Sequence, residues 1–104
     1  MRTANPVWNV ASFLAQQCAE KYLKAFLEEH NIAFARIHDL VVLLNSTGGL
    51  LPELDPQRQS LAHLSTFGIA TRYPGAQADR QAAEEAMKTA ESVRAVIRVK
   101  LQLP

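Results

Sequence analysis

Apolar residues in the first third of the chain recur three and four positions apart, in two adjacent rows. Val7, Ala11, Leu14, Cys18, Tyr22 and Ala25 make one row; Trp8, Ala15, Ala19, Leu23 and Phe26 make the other. This spacing predicts an α-helix from Pro6 to about Asn31, with Asn5 as N-cap and Pro6 at the first helical position. Two rows cover more of the circumference than one packed stripe, so this helix should have neighbours on more than one side. Gln16, Gln17, Glu20, Lys21, Lys24 and Glu28 fill most of the rest, and read as a solvated face or, failing that, an interface.

From Ile32 to Ile37 the helical period fails, which suits a connector that drops Ile32 and Phe34 onto the core. The next stretch, HDLVVLLN from His38 to Asn45, is short and strongly apolar. Its β-branched residues would allow a strand, but no second strand exists to pair with it. One or two helical turns starting near His38 and Asp39 fit better, because an acid there suits the helix dipole. Leu40, Leu43 and Leu44 then face inward. Ser46 to Gly49 ends that helix, with glycine free to take positive φ. Leu50 to Leu54 reads as an apolar loop broken by Pro52.

Asp55-Pro56 repeats the cap-then-proline pattern and predicts a third helix carrying Leu61, Leu64 and Phe67. Gly68 allows close packing or weakens that helix near its end. Pro74 requires the helix to stop before Tyr73. The last helix runs from about Asp79 to Leu101, with Ala83, Ala86, Ala90, Val93, Ile97 and Leu101 on one row. Helices are therefore expected near 6–31, 38–45, 56–71 and 79–101. The fold class is all-α: an up-and-down bundle of about four helices, two long, one medium and one short. A disordered tail over 1–5 precedes a single domain over 6–104.

Composition narrows the function more than the fold. At 104 residues the chain has room for one core. Eleven Lys and Arg against ten Asp and Glu leave a net charge of +1, which argues against a dedicated polyanion binder but not against a small basic patch. The single cysteine, Cys18, cannot form an intrachain disulfide and reads as a buried, inert thiol, which suits the reducing cytoplasm. No apolar run approaches the roughly 20 residues of a membrane span, and no signal peptide opens the chain. A cytoplasmic protein without a membrane partner is expected.

Generic chemical motifs are few. Gly48-Gly49 follows no strand, so it is no phosphate-cradling loop. His30, His38 and His63 lie in three different elements, so neither a metal site nor a cofactor is expected. Three local features allow a functional reading. His38-Asp39 opens a helix, where capping and packing compete with ligand binding. Arg72-Tyr73-Pro74 sets a cation and an aromatic at a turn; either they bond helix-end carbonyls and pack on the core, or they contact a ligand. The third feature is the polar face holding Gln16, Gln17, Glu20 and Lys21.

In this order the three features resemble the HEPN domain, a family named for its occurrence in higher eukaryotes and prokaryotes and for nucleotide binding. The run from Gln16 to Leu27 (QQCAEKYLKAFL) resembles the family's QQAAEKALKALL helix. His38-Asp39-Leu40 with Leu43-Leu44 is similar to its HDL..LL helix, Arg72-Tyr73-Pro74 to its RYP turn, and the alanine-rich end to its last helix. The resemblance spans about Pro6 to Leu101. It implies a helical bundle, typically a homodimer. Members usually carry another helix, of the DL..A type, before the QQ helix, and this chain begins after that position. Its place should leave apolar surface exposed unless a partner covers it; Trp8 and Phe13 are the residues expected there.

Ribonuclease members of the wider superfamily set an Arg four to six residues before a His. The position resembling that Arg is Arg72, and no histidine falls between Gln77 and Asp79. Arg58 and His63 form a literal pair, but five residues on a helix puts them about 140° apart, on different faces. The resemblance thus implies a non-catalytic module that binds nucleotide or nucleic acid, or that pairs with a small nucleotidyltransferase in a toxin–antitoxin-like system. Arg72, Tyr73, His38 and Lys21 are its expected ligand contacts. The alternatives are a metal-independent ribonuclease using Arg58 and His63, and a purely structural oligomerisation domain.

Overall fold

The first helix, α1 (Pro6–Glu29), ends where Asn31 turns to a φ of 56°. Ile32 N–H then donates to the Leu27 carbonyl at 2.8 Å, and Asn31 N–H to that of Glu28 at 3.1 Å. These two bonds close the helix as a Schellman motif, with Asn in the left-handed position more often given to Gly. The motif throws Ile32 back onto the core, followed by Phe34 and Ile37, as the connector reading expects. The computed structural model describes residues 6–68 and 79–102. Among them are four α-helices and no strand, so the all-α expectation holds.

Helix α2 (Leu40–Ser46) begins after Asp39, whose carboxylate accepts from the N–H groups of Val41 and Val42. Its end is the predicted glycine stop: Gly48 and Gly49 have φ values of 63° and 88°. A 3₁₀ turn (Pro52–Gln57) leads into α3 (Arg58–Ser65), and a second 3₁₀ turn (Thr66–Gly68) follows it. Helix α4 (Arg80–Lys100) is capped by Asp79, which accepts from Ala82 N–H at 2.8 Å.

Two local expectations are corrected here. Leu50 to Leu54 is no open loop: Leu51 and Leu54 are both buried, and three residues apart on a 3₁₀ turn they fall on the same side. Asp55-Pro56 therefore does not start α3. The Asp55 carboxylate instead takes Arg58 at 3.1 Å.

The core is built by Leu23, Phe26 and Leu27 of α1, Leu40, Leu43 and Leu44 of α2, Leu61 and Leu64 of α3, and Val93 and Ile97 of α4. Removing one such leucine costs about 2–5 kcal/mol, a large share of a small domain's stability. Polar ties fix how the pieces meet. Leu40 N–H donates to Ser65 Oγ at 2.8 Å, joining the start of α2 to the end of α3. Arg98 on α4 donates to the Tyr22 hydroxyl on α1 at 3.3 Å.

Of the two apolar rows on α1, only the one containing Ala15, Ala19, Leu23 and Phe26 is fully used. Val7, Val10 and Leu14 are 61%, 55% and 58% exposed, and with Ala11 they line a shallow apolar depression. This replaces the expectation for Trp8 and Phe13: Trp8 packs against the core, and Phe13 is half-buried. Cys18, on the same row, is half-buried rather than buried.

Candidate functional site

The polar face of α1 is where the structure departs most from the pattern. Gln16 is wholly buried and Glu20 nearly so, although the sequence offers them as surface residues. Chain folding explains the change. The connector after α1 returns across this face and brings His38 against it. Gln16 Nε2 donates to the His38 backbone carbonyl at 3.0 Å and to Glu20 Oε1 at 3.0 Å. Gln17 in turn donates to Gln16 Oε1 at 2.8 Å, and Lys24 reaches Glu20 Oε2 at 2.8 Å. One side chain per turn, buried Gln16 and Glu20 and half-buried Lys24, thus forms a row that satisfies itself.

The ring of His38 completes the network. Its Nδ1 lies 2.9 Å and 3.0 Å from the two oxygens of Glu20. Those oxygens also accept from Gln16 and Lys24, so the carboxylate is ionised and Nδ1 is the donor. Burial pushes the Glu20 carboxyl up, but hydrogen bonds from Lys24, His38 and Gln16, with the Lys24 charge, outweigh it and hold it below the usual range. Both backbone and ring of His38 are therefore anchored to α1, while Asp39 beside it caps α2. The side chain remains 59% exposed, and among the described residues Nε2 has no hydrogen-bond partner.

Gly68, at the end of the second 3₁₀ turn, closes the other side. A Cβ there would stand 2.9 Å from Gln16 Cδ and 3.0 Å from its Nε2. The close packing expected at this glycine is real, and the atom it admits is the buried amide of Gln16.

The expected site residues fall in separate places. Lys21 follows Glu20 in the chain, about 100° further round the helix; it is exposed, with no ion-pair partner among the described residues. Arg58 bonds Asp55 and the Asn45 side chain. His63 lies edge-on to Phe67, with ring centres 5.5 Å apart, and lines a small notch with Glu85 and Thr89. The Arg58 and His63 side chains thus engage different neighbours, as their helical spacing predicts. Arg72 and Tyr73 lie outside the described residues. Among the described residues, no group of three or more His, Cys, Asp and Glu could hold a metal ion. Nor is any helix there long and apolar enough to cross a membrane.

Gln16, Gln17, Glu20 and Lys24 are functional candidates that the residue-type reading placed on the surface. Their signal was the i,i+4 polar row itself, uninterrupted for two turns beside an apolar row.

No curated protein and no solved structure matches the chain. A family model described as the HEPN domain matches residues 3–100, and therefore includes the α1 row, the His38-Asp39 cap and all of α4. With nearly its whole length so matched, the chain belongs to the HEPN domain family.

Proposed function

We propose that this HEPN domain is a non-catalytic module that binds a nucleotide or an RNA end at the corner where α1 meets the start of α2. The observation that carries this reading is the His38 imidazole, held at Nδ1 by the Glu20 network while its side chain stays 59% exposed. Lys21, exposed on α1, and Arg72 and Tyr73 are the further contacts we assign by residue type alone: cations for phosphate and a ring for stacking. The family's general association with nucleotides and RNA supports the same choice.

The test is titration of a labelled oligoribonucleotide and of ATP against the unmodified protein and against His38→Ala and Lys21→Ala. Saturable binding, weakened in both variants, supports the module. An unmodified protein that cleaves RNA without metal overturns the non-catalytic part, and loss of that cleavage in His63→Ala would move the site to α3.

A second reading concerns partners. The apolar depression of Val7, Val10, Ala11 and Leu14 favours a protein contact there. HEPN domains commonly dimerise, and a second copy of this chain is the partner we assign to it. A small nucleotidyltransferase of a toxin–antitoxin-like pair is the alternative occupant. Light scattering of the isolated chain at micromolar concentration separates the two.

A further inference from the structure

Glu20 sets the reactivity of His38 as well as its position. We propose that His38 is a modification site: a phosphoryl acceptor at Nε2, activated by the Glu20 carboxylate and served by donors of the phosphoramidate class, to which phosphohistidine on another protein belongs. The inference concerns the ring assigned above to a nucleotide or RNA site, but it does not depend on that ligand.

A neutral imidazole carries one hydrogen. Glu20 fixes where it sits: its oxygens lie 2.9 Å and 3.0 Å from Nδ1 and already accept from Gln16 and Lys24, so Nδ1 is the donor. Nε2 keeps its lone pair, on a side chain that is 59% exposed. Such a nitrogen is a nucleophile, activated when a neighbouring group stabilises the charge it acquires. Attack at phosphorus turns the ring into a cation, and the ionised carboxylate behind Nδ1 stabilises that cation. Phosphorus suits this nitrogen: acyl imidazoles are lost to water, whereas a phosphoryl imidazole persists at neutral and alkaline pH. The Nε2 lone pair forms the new N–P bond while the donor's own P–N bond breaks, and the electron pair of that bond leaves on the amine. With phosphoramidate the leaving group is ammonia. The Nδ1 hydrogen stays on the ring, and no oxidant or reductant enters.

The same chain supplies a comparison. His30 Nδ1 lies 2.9 Å from the Phe26 carbonyl oxygen, which can only accept, so the neutral His30 ring also carries its hydrogen at Nδ1 and a lone pair at Nε2. Both histidines are exposed. His30 is backed by a neutral carbonyl, and His38 by a carboxylate. Lys24, 2.8 Å from Glu20 Oε2, shares that negative charge, which sets the gain at the low end of the ten- to hundredfold effect typical of a carboxylate behind a histidine. His30 also stacks on Phe26, so a change at Glu20 is needed to isolate the charge.

The test is incubation with potassium phosphoramidate at pH 8, followed by phosphorus-31 NMR and by peptide mass spectrometry in alkaline buffer. In the unmodified protein His38 should be phosphorylated at Nε2 roughly tenfold faster than His30. Glu20→Gln keeps an acceptor oxygen and removes the charge; it should lower the His38 rate to that of His30 and leave the His30 rate unchanged. Equal rates at the two histidines of the unmodified protein overturn the inference whether or not Glu20→Gln folds. So does attachment at Nδ1 of His38, or an undiminished His38 rate in folded Glu20→Gln. Failure of RNA and ATP to bind would strike the module proposed above and leave this result standing.

Discussion

Glu20 and His38, eighteen residues apart, meet at 2.9 Å across the junction of α1 with the connector. Neither residue is remarkable by its neighbours in sequence; the pair exists because the chain closes α1 at Asn31 and comes back.

The first prediction follows from the charge of Glu20. Its folded-state carboxyl is held below the ordinary value of 4.5. A carboxyl depressed in the folded state adds stability above its unfolded pKa, and loses it as pH falls through the folded value. Thermal melts from pH 6 to pH 3 should therefore show a steeper loss of stability in the unmodified protein than in Glu20→Gln. At pH 7 the variant should be less stable by about 1–3 kcal/mol, since it leaves Lys24 without its ion-pair partner. Parallel pH curves would contradict this.

Gly68 offers a sharper steric test. Gly68→Ala puts a methyl 2.9 Å from Gln16 Cδ, and that amide is pinned by three hydrogen-bonding neighbours: Gln17, Glu20 and the His38 carbonyl. It cannot swing away as a free side chain would. Denaturant unfolding should show a loss of about 1–3 kcal/mol for Gly68→Ala. In a Gln16→Ala background the same substitution should cost less, with a coupling of about 0.5–3 kcal/mol between the two sites.

Leu14 tests self-association. The unmodified chain should scatter light as a dimer at micromolar concentration, and Leu14→Glu should scatter as a monomer with unchanged helical circular dichroism. A side chain already 58% exposed in the single chain tolerates a charge without harm to its own core. A monodisperse monomer for the unmodified protein would remove the proposed interface.

Arg72 is tested by separating affinity from stability. If it contacts phosphate, Arg72→Ala should leave the melting temperature nearly unchanged and weaken nucleotide or RNA binding by roughly 1.5–3 kcal/mol, the range for a hydrogen bond to a charged group. A fall in melting temperature with unchanged affinity would make it a structural residue.

The helices were legible because a 3.6-residue period survives in the sequence whatever the tertiary context. Asp39 marked the start of α2, and Gly48-Gly49 its stop, for equally local reasons. The start of α3 was not legible, because burying both Leu51 and Leu54 overrides the local preference that Asp55-Pro56 expresses. Nor was the site. Gln16 and Glu20 are polar on any scale, and only the return of residues 32–39 across α1 turns their face inward. Gly68 hinted at a close approach, but nothing nearby in the sequence says that the approaching group is an amide on α1.

The bond from Leu40 N–H to Ser65 Oγ has a consequence for how the protein opens and closes. At seven residues, α2 is far too short to persist as an isolated helix in water. It persists only docked, with its leucines in the shared core of α1 and α3 and its first N–H on Ser65 of α3. Amide hydrogens in α2 should exchange with solvent at the same rate-limiting opening as those of α3. Opening there should also free the backbone beside His38, which ties the lifetime of the exposed ring's pose to the docking of α3.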